Sequence, residues 1–187
     1  MLYTRQGDKG DTSFFGCNQR FSKNSALVEA LGSIDEINSL LGFCKVKAKK
    51  TAIKITGKAV FLADIIEAIQ EDLFIIQANL AGANDKKITQ EKIKYLENII
   101  DEIEKQLPLI KSFFISGGNE LSALFDYART VARRAERRAV AYSESEKRKE
   151  SSEILAYLNR LSSVLYALAR ISNSKSGLKE KNPSYKL

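Results

Sequence analysis

Ten residues from Arg129 to Arg138 hold five arginines, Arg129, Arg133, Arg134, Arg137 and Arg138, with Glu136 among them. On a helix turning about 100° per residue, Arg129, Arg133 and Arg137 fall along one stripe, while Arg134 and Arg138 point to another side. A guanidinium is planar, permanently charged and carries a fork of donors that matches phosphate oxygens. Three such forks beside one carboxylate make a polyphosphate clamp in which Glu136 can orient the cations. A solvated basic helix has the same composition, so the choice rests on the rest of the chain.

A second cluster lies near the start, where Thr4-Arg5-Gln6-Gly7-Asp8-Lys9-Gly10-Asp11-Thr12 is followed by Ser13. Glycines three apart let the backbone take positive φ and turn amides toward an anion, and the hydroxyls of Thr4, Thr12 and Ser13 add donors. Arg5, Lys9 and Lys23 add charge. The Walker spacing is absent, as is an apolar strand to precede it. A third candidate is Phe113-Phe114 ahead of Gly117-Gly118. In an extended segment successive side chains point to opposite sides, so the two phenylalanines cannot share one task.

Composition narrows the chemistry. The 187 residues include no histidine, which removes Ser-His-Asp and Cys-His nucleophiles, histidine acid-base catalysis and the Glu-x-x-His sites of di-iron bundles. Cys17 and Cys44 make neither a disulfide framework nor a zinc site. Thirty Lys and Arg against 23 Asp and Glu give a net charge of +7 and a pI near 9.3. Such a balance favours anionic partners, whether nucleic acid, a membrane surface or a nucleotide. No apolar run approaches the roughly 18 residues of a membrane span, and the N-terminus lacks a signal-peptide core. The expectation is a soluble cytoplasmic protein.

These residues must be positioned by a scaffold that is 44% hydrophobic and contains only two prolines, at 108 and 183. The periodicity predicts five helices in one domain. They run over about 25–49 (Leu27, Leu31, Ile34, Ile37, Leu41), 57–82 (Leu62, Ile66, Ile69, Leu73, Ile76, Leu80) and 89–107, where Pro108 ends the third. The fourth starts near Asn119 and carries the arginines, and the fifth covers 150–174. Residues 110–115 read as extended. The division is an N-terminal loop over 1–24, an all-α, up-and-down five-helix bundle over 25–176, and a polar, flexible tail over 177–187.

Taken in order, Tyr3 to Thr12, Gly32-Ser33-Ile34-Asp35-Glu36, Ser116-Gly117-Gly118, Ala128-Arg129-Thr130 through Arg138, and Leu158-Asn159-Arg160-Leu161-Ser162 resemble the PduO-type ATP:cob(I)alamin adenosyltransferases over nearly the whole chain. The resemblance implies a helical bundle assembling as a homotrimer, with ATP and corrinoid bound between subunits. It implies transfer of the 5′-deoxyadenosyl group of ATP to cobalt with release of triphosphate, and Mg²⁺ carried on the ATP phosphates. Cob(I)alamin is itself a strong nucleophile, so the missing histidines fit this chemistry.

By the same resemblance Thr4, Arg5, Gln6, Gly7, Thr12 and Ser13 wrap the nucleotide, and Lys23 reaches its phosphates. Arg133, Arg134 and Arg137 hold triphosphate, with Arg134 at the helix edge and Arg138 left to solvent. Glu136 orients them or assists the metal, and Asn159 contacts the nucleotide. Asp35 and Arg129 are an intersubunit ion pair shaping the corrinoid side. Phe113 lies against the lower face of cobalt, displacing its dimethylbenzimidazole ligand so that Co(II) is more easily reduced, while Phe114 is core. The implied partners are ATP, the corrinoid, further copies of the chain, a reductase and an adenosylcobalamin-dependent acceptor enzyme. The sequence departs from the family pattern at Gln6, at Ser116 where proline is common, and in a longer spacer from Gly16 to Lys23.

The rival reading is a basic helical module on RNA or DNA, with Lys179, Lys181 and Lys186 as a tail. It gives the Gly-Asp-Lys-Gly loop and Asp35 no task, and no aromatic residues interleave with the arginines for base stacking. Neither a nucleic-acid nor a membrane partner is expected.

Overall fold

The computed structural model describes residues 3–14, 18–83, 85–145 and 152–185. Cys17, Gly16, Lys186 and the start of the fifth helix as read from sequence, 150–151, lie outside the described residues. Five helices dominate: α1 (Ala26–Ala48), α2 (Leu62–Leu80), α3 (Gln90–Glu104), α4 (Glu120–Ser145) and α5 (Ser152–Lys175). Two short antiparallel ribbons accompany them. β1 (Asp11–Thr12) pairs with β2 (Phe21–Ser22), and β3 (Ala52–Ile55) pairs with β4 (Lys58–Phe61).

The ribbons correct the all-α expectation, and β3 and β4 correct the start of the second helix, which begins at Leu62 rather than at 57. Residues 52–61 alternate around Thr56-Gly57, and both turn residues have positive φ, 47° and 80°. That is the geometry of a tight hairpin turn whose twist matches its strands. Ile53 then points into the core, and Thr56 N–H donates to Glu102 on α3 at 2.8 Å.

Helix ends follow local chemistry. Ser25 accepts from Val28 N–H to cap α1, with Glu29 in its first turn and Lys45 and Lys47 in its last, as the helix dipole favours. Ahead of α4, Asn119 Oδ1 accepts from Ser122 N–H at 2.8 Å while Asn119 N–H donates to Ser122 Oγ at 3.3 Å, a reciprocal cap.

The apolar stripes read from sequence meet in one core. Ile34, Ile37 and Leu41 of α1, Ile66, Ile69, Leu73 and Ile76 of α2, and Leu158, Leu161, Leu165 and Leu168 of α5 are buried together. Packing runs from α2 to α1, α1 to α4, α4 to α5 and α5 to α3. The buried face of α4 contains Ala128, Ala132, Ala135 and Ala139. These small side chains, between the bulkier Phe125 and Tyr142, let α1 and α5 approach closely along the arginine-bearing stretch. Asp72 is buried on α2 and is neutralised by Lys92 of α3, with Tyr157 Oη of α5 donating to its second oxygen at 2.9 Å. Burial, and then Asp72 itself, push the Tyr157 phenol well above its ordinary range. This polar tie fixes three helices in register behind the site.

Candidate active site

Helix α4 divides its arginines by partner. Arg134 reaches Glu36 of α1 at 2.5 Å and Arg138 reaches Glu29 of α1 at 3.1 Å. Arg138, expected to face solvent alone, is thus ion-paired at the surface. On the other stripe, Arg133 and Arg137 are exposed and have no carboxylate or hydrogen-bond partner among the described residues. Arg129 is half-buried, its Nε unpartnered and its guanidinium 5.8 Å from the centre of the Tyr166 ring. A buried guanidinium nitrogen without an acceptor costs free energy, so this stripe is poised for added negative charge.

Glu136 and Asn159, to which the resemblance gave separate tasks, are in contact. Asn159 Nδ2 donates to Glu136 Oε1 at 2.9 Å, and Arg160 Nη1 donates to Asn159 Oδ1 at 2.8 Å while its Nε holds Glu97 of α3. This relay across α4, α5 and α3 fixes the Asn159 amide and holds Glu136 one residue from Arg137.

Arg129 and Arg133 also line a cavity of about 550 Å³ whose other walls include Phe113, Phe114, Asp126, Tyr166, Arg170 and Glu180. Phe113 is 79% exposed, whereas the Phe114 ring lies under the Arg170 guanidinium at 5.2 Å. Phe113 is thus free for a ligand, whereas Phe114, expected in the core, is only half-buried and lines the same cavity. Of the glycine pair behind them, Gly117 is required by its φ of 95° and Gly118 by space as well. Gly118 has φ of 137°, and a Cβ there would stand 2.3 Å from Asn173 Oδ1. Gly117 N–H donates to Asp126 Oδ2 at 2.8 Å, and Gly117 O accepts from Asn173 Nδ2 at 3.0 Å. Burial raises the Asp126 carboxyl above its usual range against the opposing pull of the Gly117 amide and Arg129.

The N-terminal loop is exposed and locally stitched. Arg20, which the sequence reading passed over, grips Asp11 with Nε at 2.7 Å and Nη2 at 2.5 Å, and Nη2 also donates to Gln6 O at 2.6 Å. The Arg20 hydrogen bond holds the Asp11 carboxyl below its ordinary value. Lys23 Nζ donates to Gly7 O at 2.8 Å, so it folds back over the loop it was expected to serve. Gly10 takes positive φ, but Arg5, at 60°, is the second such residue rather than Gly7. Gly7 is instead constrained by room, since a Cβ would stand 3.1 Å from both Asp11 O and Lys23 Nζ. Thr4, Ser13 and Gln6 remain exposed, and Thr12 is half-buried beside them.

Asp35 lies exposed on α1 with no hydrogen-bond or ion partner among the described residues. It does not meet Arg129 within the protomer. The sequence reading missed Arg20, Asp126, Tyr166, Arg170, Asn173 and Glu180. Two of them carried a signal, because Arg170 and Asn173 are polar positions in the otherwise apolar α5 pattern. Glu180, in a polar tail, carried none.

Five helices presenting an arginine stripe without carboxylate partners among the described residues, beside a largely apolar cavity, define an anion-binding enzyme scaffold with room for a second, partly apolar ligand. The chain belongs to the cobalamin adenosyltransferase family, whose description matches residues 2–172. It is 39% identical over 182 residues to a corrinoid adenosyltransferase of Bacillus subtilis, covering 95% of this chain and 89% of that one. It is 38% identical to the corrinoid adenosyltransferase PduO of Citrobacter freundii over 90% of this chain, a match spanning 49% of that longer relative. In structure it is similar to a phenylalanine-to-alanine variant of a Lactobacillus reuteri PduO-type ATP:corrinoid adenosyltransferase complexed with cobalamin and ATP. The TM-score is 0.82 and the identity 31%, with 98% of this chain and 99% of that one covered. An arginine-to-lysine variant from the same organism, complexed with ATP, gives a TM-score of 0.82 at 30% identity, with 97% and 99% covered.

Proposed function

We propose that this chain transfers the 5′-deoxyadenosyl group of ATP to the cobalt of cob(I)alamin, giving adenosylcobalamin and triphosphate. The observation that carries the reading is the stripe of Arg129, Arg133 and Arg137, without a carboxylate partner among the described residues, of which Arg129 and Arg133 line the Phe113 cavity. The Co(I) electron pair forms the Co–C5′ bond as the C5′–O bond breaks, and the departing electron pair leaves on triphosphate. No protein nucleophile or base is needed, which fits a chain without histidine. What the protein must supply is orientation and compensation for charge on the leaving group.

In this reading Arg133 and Arg137 hold the triphosphate, with Arg134 joining from the helix edge by leaving Glu36. Asn159, fixed by Arg160 and Glu136, contacts the nucleotide. Thr4, Arg5, Gln6, Gly7, Thr12, Ser13 and Lys23 close over it as a loop. Among the described residues no group of three carboxylates or thiols could hold a metal ion. Mg²⁺ would ride on the ATP phosphates, with Glu136 as the neighbouring carboxylate. Such an ion neutralises charge developing on the leaving group.

The chain acts as a homotrimer, with Asp35 of one protomer pairing with Arg129 of the next. Two observations support this: Asp35 is exposed and unpartnered, and Phe43, Val46 and Tyr127 are exposed apolar side chains on α1 and α4. Among the described residues no helix is long and apolar enough to cross a membrane, and the proposed setting is the cytoplasm, beside a reductase and an adenosylcobalamin-dependent acceptor. Purified protein given ATP, Mg²⁺ and chemically reduced cobalamin under anaerobic conditions should form adenosylcobalamin, seen in its visible spectrum, with one triphosphate released per turnover. Folded protein that gives no product would overturn the proposal.

A further inference from the structure

We infer that Arg170 and Glu180 are positioning residues for the corrinoid half of the reaction: through the chain's C-terminal strap they hold Phe113 where the ligand must meet it. This rests on the adenosyl-transfer reading above. Residues 108–118 contain no helix or strand, yet they expose Ile110, Phe113 and Ile115 along the cavity side. Ordering such a segment costs on the order of 1–2 kcal/mol per residue in backbone entropy, and its own backbone supplies little to offset that.

The compensation comes from elsewhere in the chain. Arg170 is 4% exposed on α5 and touches three separate pieces of the wall. Its Nη2 donates to Pro108 O at 3.1 Å, its guanidinium covers the Phe114 ring, and it forms a two-pronged pair with Glu180 at 2.9 and 2.8 Å. Directly after Glu180 the strap bonds the segment itself. Ile115 N–H donates to Lys181 O at 2.8 Å, and Asn182 Nδ2 donates to Ser112 Oγ at 2.6 Å and to Phe113 O at 2.8 Å. The backbone of Phe113 is thus held by Asn182, two residues beyond the Glu180 anchor. The far end of the segment is held by Asp126 and Asn173 through Gly117.

Charge placement supports a geometric role. A buried ion pair adds little net stability over apolar packing, but losing one partner leaves the other buried and uncompensated. Glu180 therefore couples the position of the tail to that of Phe113 with a penalty for slippage. The part of the chain expected from sequence to be a flexible tail carries these contacts.

The test compares wild type with Glu180→Gln and with Asn182→Ala, whose exposed position keeps it compatible with folding. Steady-state rates are measured while ATP and corrinoid are varied separately, with thermal melting alongside. Glu180→Gln should lower kcat/KM for corrinoid by on the order of ten- to a hundredfold, the scale of a small misplacement at a reacting centre. KM for ATP should stay within about twofold, and Asn182→Ala should act in the same direction but less. Combining Glu180→Gln with Phe113→Ala should add no further loss to that of Phe113→Ala alone, since both act through one side chain. Wild-type kinetics in both folded variants, equal losses for ATP and corrinoid, or fully additive losses with Phe113→Ala would each overturn the inference. If Glu180→Gln does not fold, Asn182→Ala and its combination with Phe113→Ala decide the matter alone. An inactive wild type would instead refute the adenosyl-transfer reading, which separates the two failures.

Discussion

The two sides of α4 carry the same residue type and meet different fates. Toward α1, Arg134 and Arg138 each find a glutamate, Glu36 and Glu29. Toward the cavity, Arg133 and Arg137 find none among the described residues, and Arg129 keeps a buried Nε without an acceptor. Exposed pairs of the first kind contribute little to stability, because solvent screening and side-chain entropy offset most of the attraction. The buried Arg129 Nε is instead held at a cost that an acceptor can relieve, and the exposed Arg133 and Arg137 keep their donors free for an anionic ligand. The lesson is that arginine density alone does not define a site; partner geometry does.

The largest effect should separate the two sides directly. Arg133→Ala is expected to cost about 2–4 kcal/mol of transition-state stabilisation, the usual scale for a preorganised charge donor, read as a loss in kcat/KM. Arg138→Ala should stay within about twofold of wild type, as removal of a surface charge pair does. Equal losses in the two variants would erase the distinction between the faces.

Next in size is Gly118→Ala, which probes the cavity wall. The added Cβ would collide with Asn173 at a φ that disfavours side chains, so thermal or urea unfolding should show about 1–3 kcal/mol of destabilisation. Tyr157→Phe, behind the site, should cost a comparable or smaller amount, about 1–3 kcal/mol, because buried Asp72 loses a donor. Its kcat should fall less than that of Arg133→Ala if the Asp72 tie is a scaffold element, and assays at a temperature well below the melt distinguish the two.

Arg134 sharpens the comparison, since it is ion-paired in the protomer yet assigned to phosphate in the proposal. Arg134→Ala should lower kcat/KM by about tenfold or less, while Glu36→Gln leaves it unchanged or improves it by freeing the guanidinium. A loss of the same size in both variants would make the pair itself the functional unit.

The smallest effect concerns pH. Cys44 is fully buried on α1, and burial pushes its thiol from 9.0 up to about 11. The native state therefore keeps this proton where the unfolded chain releases it. The associated stability is fully present below pH 9 and is lost as pH rises from there toward 11. Stability measured by urea unfolding should slope downward across that window, and Cys44→Ala should flatten the slope. Native Cys44 should also resist alkylation near pH 8 while the urea-unfolded chain reacts.

Much of the scaffold was legible because helices bury stripes whose period is written locally. The buried leucines and isoleucines of α1, α2 and α5 sit where the 3.6-residue period placed them, whereas alternation did not foretell that Phe113 and Phe114 line one cavity. The hairpin at 52–61 was overlooked because Thr56-Gly57 is a weak turn signal and an apolar run on either side can be read as either element. Family resemblance gave Glu136 and Asn159 separate tasks, and their hydrogen bond became visible only in the structure, because periodicity places neither residue against the other.

What the sequence determined by itself was the set of chemical groups and their local order: an arginine helix, a glycine-bearing loop, five amphipathic stripes and a chain without histidine. These follow from residue type and near-neighbour spacing. Only the tertiary structure decided which arginines are neutralised, because Glu36 and Glu29 lie roughly 100 residues from Arg134 and Arg138 and no local pattern links them. Only it joined Arg170, Glu180 and Asn182 to the Phe113 segment. Those contacts depend on how α5 packs and where the chain returns after it, and long-range geometry of that kind is set by the whole core rather than by any stretch of sequence.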